Sequence, residues 1–476
     1  GAGGGGETYT PRFTWHGFRY LEVTGLSTPL PLADITLLRL NSDVASVREF
    51  ACSNPMLNDV QAMVRRTFLA NMLSVQSDCP HRERFGYGGD IAATSDAFVA
   101  NFDVRGFYAK TVRDWSDAAL PNGMFTDTAP FVGIQYCGVI WAMAHPLLIE
   151  QLHRSYGDRR IGEQEYEAAK RWLLLVEQQY PDGIVKNGLS DHEGLAPAPP
   201  PAMVTPMYFE SAKLLAAQAD RLGRKADALH FQALAATIRA AYQAQFVDPN
   251  TGKVGPGTQA SQSFALATGI VSDVERPKVL AYLLEAIKQK NDHLDTGILG
   301  TKFMLDELSR AGHAELAYRI ATQPDFPGWG WMLKNGATTL WEHWEFSDNT
   351  FSHSHPMFGS VSEWMMRWLG GIQPAPDAVG YDRVVIRPQT VGDLEWVTSS
   401  YDSVRGKIVS NWSRTERGVR YELEVPVNTR AQILLSVPAG ATVTEGGKPA
   451  PNAVLRGGSL ALTVGSGRYT FEVAER

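Results

Sequence analysis

Pro55-Met-Leu-Asn-Asp-Val-Gln-Ala-Met-Val-Arg-Arg-Thr-Phe-Leu-Ala70 sets the character of the chain. Leu57, Val60, Val64 and Phe68 recur at steps of three and four residues, which is one stripe of an amphipathic helix. Similar stripes follow near residues 92–101, 105–117, 139–154, 163–179, 206–222, 225–245, 259–270, 275–289, 298–311, 314–322 and 357–369. Loops with Pro and Gly, such as Tyr180-Pro-Asp-Gly183 and Ala196-Pro-Ala-Pro-Pro-Pro201, separate many of them. About twelve helices joined in antiparallel pairs predict a closed α/α toroid, with an open solenoid as the alternative. The lack of a fixed-period repeat favours closure.

Outward from this region the period changes. Residues 13–40 read as strands: Phe18, Tyr20 and Val23 lie near a two-residue alternation, and Ile35 to Leu40 reads as a second strand. Two strands cannot bury a core alone. They are expected to be the remnant or edge of a sheet whose other strands lie outside this chain. After Gly371-Ile-Gln-Pro-Ala-Pro-Asp377, Tyr421, Leu423 and Val425 alternate with Glu422 and Glu424, and Tyr469, Phe471 and Val473 alternate likewise. Turns of Gly and Asn between such runs predict a small antiparallel β-sandwich that braces the barrel. The expected organisation is mainly α: a β segment over 1–45, a helical barrel over 46–372 and a β-sandwich over 373–476.

Composition narrows the function classes. The 476 residues carry a net charge of −7, which argues against nucleic acid or an anionic membrane surface as the main partner. No window approaches the roughly 18 apolar residues of a membrane-spanning helix. Gly1-Ala-Gly-Gly-Gly-Gly6 has neither a basic nor an apolar region of an export signal. Three cysteines, far apart and without a CxxC pair, suggest neither a disulfide framework nor a zinc site, so the compartment stays open.

Two islands concentrate chemistry. Asp78-Cys-Pro-His-Arg-Glu-Arg-Phe-Gly-Tyr-Gly-Gly-Asp90 crowds Asp78, Glu83 and Asp90 with Arg82 and Arg84 onto backbone that Pro80, Gly86, Gly88 and Gly89 keep out of regular helix. Folding gains little from such crowding, whereas a site can use it. A solvated turn with Asp90 as a helix N-cap is the plainer account of this island taken alone. Leu340-Trp-Glu-His-Trp-Glu345, with Trp329 and Trp331 upstream, sets aromatic rings beside carboxylates, which suits sugar faces and hydroxyls. A core tryptophan cluster is the plainer account of any one of those rings. Two carboxyls from separate segments are the minimum for glycoside hydrolysis, one giving a proton and the other activating water or attacking directly. No HExxH or GxSxG occurs, so zinc and serine hydrolysis are weaker readings, and no cofactor or metal is expected.

These residues resemble the α-L-rhamnosidases of glycoside hydrolase family 78. The resemblance runs through Phe13-Thr-Trp-His-Gly-Phe-Arg-Tyr20, Asp78 to Asp90, Gly297 to Trp344, His355-Pro-Met-Phe-Gly-Ser-Val-Ser362 and Arg383-Val-Val-Ile-Arg-Pro388. It implies an (α/α)6 barrel flanked by β-sandwiches, a rhamnose-containing carbohydrate substrate and inversion at the anomeric carbon. It makes Glu83 the general acid and Glu342 the general base. Asp78, Arg82 and Asp90 would bind hydroxyls or tune Glu83, and His355 would line the pocket. Tyr87 stands where many members carry Trp, Trp141 matches a pocket Trp, and Met143 replaces an Asp common nearby. Asp191 would bind the sugar, and His192 stands where Trp often follows the Asp that Asp191 matches. Tyr87, Trp141, Trp329 and Trp344 are the rings available to the C6 methyl of the sugar. Most members have further β-domains before the Gly17-Phe-Arg-Tyr20 strand, so such domains are expected to be missing here. The rival readings on the same barrel are a polysaccharide lyase and a non-catalytic carbohydrate-binding protein.

Overall fold

The segment Pro55–Ala70 forms the helix its apolar stripe predicts. Asn54 caps it, its side chain accepting from the Leu57 amide (3.3 Å), and Pro55 sits in the first turn, where its missing N–H costs nothing. Leu57, Val60, Val64 and Phe68 are wholly buried. A computed structural model of the chain describes residues 6–347, 351–450, 454–456 and 458–474.

The connections between helices alternate between long and short. Long loops follow Pro55–Ala70, Arg105–Ala118, Arg160–Gln179, Lys225–Phe246, Arg276–Lys288 and Trp329–Lys334. Short links join Gly88–Asn101 to Arg105–Ala118, Pro200–Arg221 to Lys225–Phe246, Gln259–Thr268 to Arg276–Lys288, and Ile298–Arg310 to Ala314–Ala321. Antiparallel helix pairs with this alternation gather the long loops at one mouth, and the loops bond to one another there. Gly88 N–H donates to Asp127 O (3.0 Å), Leu189 N–H to Cys137 O (2.9 Å) and Leu195 N–H to Asp295 O (3.0 Å). The fold is the six-hairpin barrel, the closed form of the two sequence alternatives. The stripe at 139–154 is broken at Met143 into Val139–Ala142 and Ala144–Tyr156. The proline run is partly helical, since Pro200–Arg221 begins within it.

The C-terminal strands form a seven-stranded and a five-stranded sheet. Most pairs are antiparallel, as expected, and Arg383–Ile386 runs parallel to Arg430–Ser436. Tyr421, Leu423 and Val425 are buried on Gly418–Val425, the inward half of the predicted alternation. This module grips the barrel: Trp412 Nε1 donates to Leu369 O (3.0 Å), and the Tyr318 hydroxyl donates to Asp393.

The strands expected over 13–40 are not formed. Described residues before Ser46 hold a single 3-10 turn, Leu32–Asp34, and Tyr9, Phe13, Tyr20, Leu37 and Leu38 are exposed. An apolar alternation becomes a strand only beside a neighbour that takes its ladder bonds, and no strand among the described residues pairs with this segment. The first strand is Arg48–Cys52, which pairs antiparallel with Trp396–Ser403 at the edge of the seven-stranded sheet. The N-terminal segment instead meets the loop Asp78 to Asp90. The Arg84 guanidinium stacks over the Trp15 ring (5.1 Å), and a Cβ on Gly17 would fall 2.8 Å from Pro80.

Candidate active site

The first island is a loop tied shut by Asp78. Its carboxylate accepts the Phe85 amide (2.8 Å), while its own N–H donates to Phe85 O (3.1 Å). Arg84 takes a left-handed conformation (φ 61°), and the turn carries Glu83 outward, its side chain 37% exposed. Tyr87 steadies Glu83 by donating its hydroxyl to Oε2 (2.9 Å). The next helix starts at Gly88, because glycine alone allows the approach to Trp141: a Cβ on Gly88 would lie 1.8 Å from the Trp141 carbonyl oxygen. Asp90 is therefore inside the first turn and does not cap the helix. Its carboxylate meets His355 Nε2 at 2.9 Å.

The second island folds back on itself. Glu342 N–H donates to Ser352 O (2.8 Å), His355 N–H donates to Leu340 O (2.9 Å), and Ser352 N–H donates to the Glu342 carboxylate (2.6 Å). The two islands, 260 positions apart, meet through Arg82. Its Nη2 lies 2.9 and 3.1 Å from the Glu342 oxygens and 3.4 Å from Glu83 Oε1. Behind Glu342, His355 Nδ1 stands at 3.7 Å, within ion-pair range and longer than a hydrogen bond.

The electrostatics follow from this chain of contacts. Burial would lower the His355 pKa, but the Asp90 charge and hydrogen bond, with Glu342, outweigh it and raise the pKa to about 10. His355 is thus an imidazolium across the neutral range. Burial would raise Glu342, yet His355, the Ser352 amide and Arg82 hold it at about 2, so it is an ionised carboxylate. Burial pushes Asp78 up to about 6 against the opposing pull of His355.

The structure thus brings Glu83, Glu342, Asp78, Arg82, Tyr87, Asp90 and His355 together. Four other candidates stand differently. Trp329 and Trp344 are wholly buried and pack edge to face (5.4 Å), their indoles donating to Phe358 O and Thr296 O. Neither leaves surface for a sugar, so both are core residues. Trp141 is 2% exposed, lies against Gly89 and meets His192 edge-on. Asp191 accepts from the amides of Gly297 (2.7 Å), Leu299 (3.1 Å) and Gly300 (2.7 Å) at the start of Ile298–Arg310. It is a helix cap reached from a distant loop, with its acceptors already engaged.

Sequence reasoning missed Glu193. It has φ 58° and lies 3.4 Å from both His192 and His343, and burial and Glu342 raise it to about 7. Its position directly after Asp191-His192 was the available signal. Among the described residues no group of three His, Cys, Asp or Glu side chains is placed to hold a metal ion, and no helix is long and apolar enough to cross a membrane.

A barrel of helical hairpins with two carboxylates on one arginine at its mouth fits a six-hairpin glycosidase domain. Residues 45–369 match that domain of the bacterial α-L-rhamnosidases, 371–449 match their C-terminal domain, and 1–41 match their concanavalin-like domain. The chain belongs to the bacterial α-L-rhamnosidase family. It is 34% identical over 486 residues to an α-L-rhamnosidase of Streptomyces avermitilis, covering 99% of this chain and 46% of that one. An α-L-rhamnosidase of Alteromonas sp. is 27% identical, with 98% and 52% covered. The chain thus spans about half the length of the curated relatives it matches. Among solved structures, the α-L-rhamnosidase from Dictyoglumus thermophilum superposes with a TM-score of 0.86 at 29% identity, covering 91% of this chain and 51% of that one. The Streptomyces avermitilis α-L-rhamnosidase complexed with L-rhamnose superposes with a TM-score of 0.85 at 30% identity, covering 90% and 42%.

The capping role of Asp191 has a measurable signature. Asp191→Ala strands three buried amides and is expected to cost about 2–4 kcal/mol in denaturant unfolding, with KM for a rhamnoside little changed. A large KM rise at unchanged stability would return Asp191 to the sugar site.

Proposed function

We propose that this chain is the catalytic portion of an α-L-rhamnosidase that releases terminal rhamnose with inversion. Glu83 protonates the glycosidic oxygen, while Glu342 removes a proton from the water that attacks the opposite face of the anomeric carbon. The observation that carries the reading is the single Arg82 nitrogen touching both carboxylates, one from each island. The L-rhamnose bound by the Streptomyces avermitilis relative supports the choice of sugar.

The division of roles rests on environment. Glu342 is 9% exposed and held ionised by an imidazolium, an amide and a guanidinium, which suits the base. Glu83 is partly exposed on a tight turn with Oε2 on the Tyr87 hydroxyl and Oε1 3.4 Å from Arg82 Nη2, and Oε1 is the oxygen proposed to meet the leaving group in place of Arg82. Inversion needs carboxyls roughly 6.5–9.5 Å apart, and retention needs about 5–5.5 Å. Arg82 lies between the two carboxylates, in the space where the sugar and the attacking water are proposed to sit. Arg82 and Tyr87 border that space and are the proposed hydroxyl contacts, with the half-buried Tyr87 ring as the stacking wall, while the buried Asp90 acts through His355.

Three measurements test this reading. A proton NMR time course on an aryl α-L-rhamnoside should show β-rhamnose first, and α-rhamnose first would end the inverting claim. Glu83→Gln should lose about 10²–10⁴-fold on alkyl or sugar leaving groups and far less on an activated nitrophenyl one; equal losses would remove its role as acid. In His355→Gln the cation behind the base is gone, so burial dominates and the Glu342 pKa rises. The acid limb of kcat/KM should therefore move up by about one to two pH units, and an unmoved limb would exclude the relay.

A further inference from the structure

Away from the mouth, where the barrel meets the C-terminal sheets, lies a cavity of about 30 Å³ lined by Arg48, Asp96, Arg154, Glu363, Arg367 and Tyr381. It is a knot of buried charge. Arg154 pairs with Asp96 (2.7 Å), and Lys302 pairs with Asp96 (2.8 Å) and lies 3.6 Å from Glu363. Arg367 pairs with Glu363 (2.7 Å) and Asp306 (3.1 Å), and Asp306 is itself shared with Arg310. Every carboxylate here already serves two cations.

Arg48 is left over. It is 6% exposed, and no carboxylate among the described residues lies within ion-pair distance of it. Its contacts are the Met366 carbonyl (3.3 Å from Nη1) and the face of the Tyr401 ring (4.8 Å). The buried Nε of Arg48 has no hydrogen-bond partner, and neither has the buried Nε of Arg154 on the same cavity. On the cavity wall three cations, Arg48, Arg154 and Arg367, thus face two carboxylates, Asp96 and Glu363. Glu363 Oε2 also lacks a hydrogen bond, and burial pushes that carboxyl upward against the pull of Arg367 and Lys302. Burial likewise pushes the Arg48 guanidinium downward, as befits a cation without a counter-charge. An uncompensated buried cation with idle donors is costly, and about 30 Å³ holds a monatomic ion but no sugar.

We propose that this cavity binds one halide-sized monovalent anion, held by the guanidiniums of Arg48 and Arg154, which fastens the strand Arg48–Cys52 between barrel and sandwich. The site is separate from the hydrolytic mouth, and its test does not depend on the sugar. The whole chain is melted while sodium gluconate is replaced by sodium chloride at constant ionic strength. A saturable rise of about 2 °C or more is expected, and it should vanish in Arg48→Met. Crystals soaked in bromide should show an anomalous peak between Arg48 and Arg154. Equal melting in both salts, the same rise in Arg48→Met, or a cavity without bromide would overturn the proposal. If Arg48→Met does not fold, the bromide peak in the unaltered protein decides.

Discussion

The site depends on a line of alternating charge, Asp90 to His355 to Glu342 to Arg82. Each member would be expensive to bury alone, and each is tolerable because the next neutralises it. Asp90 makes His355 an imidazolium, the imidazolium keeps Glu342 ionised, and Arg82 closes the line toward the solvent-facing Glu83. The helix Gly88–Asn101 presents Asp90 from one side, and the folded-back loop Leu340 to His355 presents the other two groups. Loop geometry alone would not fix a carboxylate so firmly. The Ser352 amide supplies the last constraint, because it bonds the same carboxylate whose backbone partner it is.

Much of this was legible in the sequence, and for a reason. Helix registers such as Leu57 to Phe68 are written locally, in spacing that has only one geometric reading. Glu83 and Glu342 stood out because charge on irregular backbone lacks a folding explanation. What stayed hidden was long-range. Asp191 looked like a ligand, but its three amides lie more than 100 residues downstream, and no local pattern announces a cap supplied from another loop. The pairing of Asp90 with His355 was equally invisible, since a first-turn Asp is ordinarily explained by the helix itself.

Aromatic rings illustrate the opposite failure. Tryptophan beside a carboxylate suits both a sugar platform and a packed core, and only burial distinguishes the two. Trp329 and Trp344 are wholly buried, packed against each other and, for Trp344, against Phe358. Tyr87 is the ring that reaches the cleft, and it does so tethered by its hydroxyl to Glu83. The N-terminal alternation failed for a related reason, since its pattern called for a neighbour that the chain does not place beside it.

The strand Arg48–Cys52 precedes the first barrel helix by two residues, yet its ladder belongs to the sheet built almost entirely from the last hundred residues. Barrel and sandwich are therefore interleaved in sequence and do not follow one another as separable modules. A cut after residue 372 would strand that segment without a partner and open the Trp412 contact as well. The edge strand of the sheet thus leads directly into Pro55–Ala70, so the sheet's edge and the first helix of the barrel are one continuous stretch of chain.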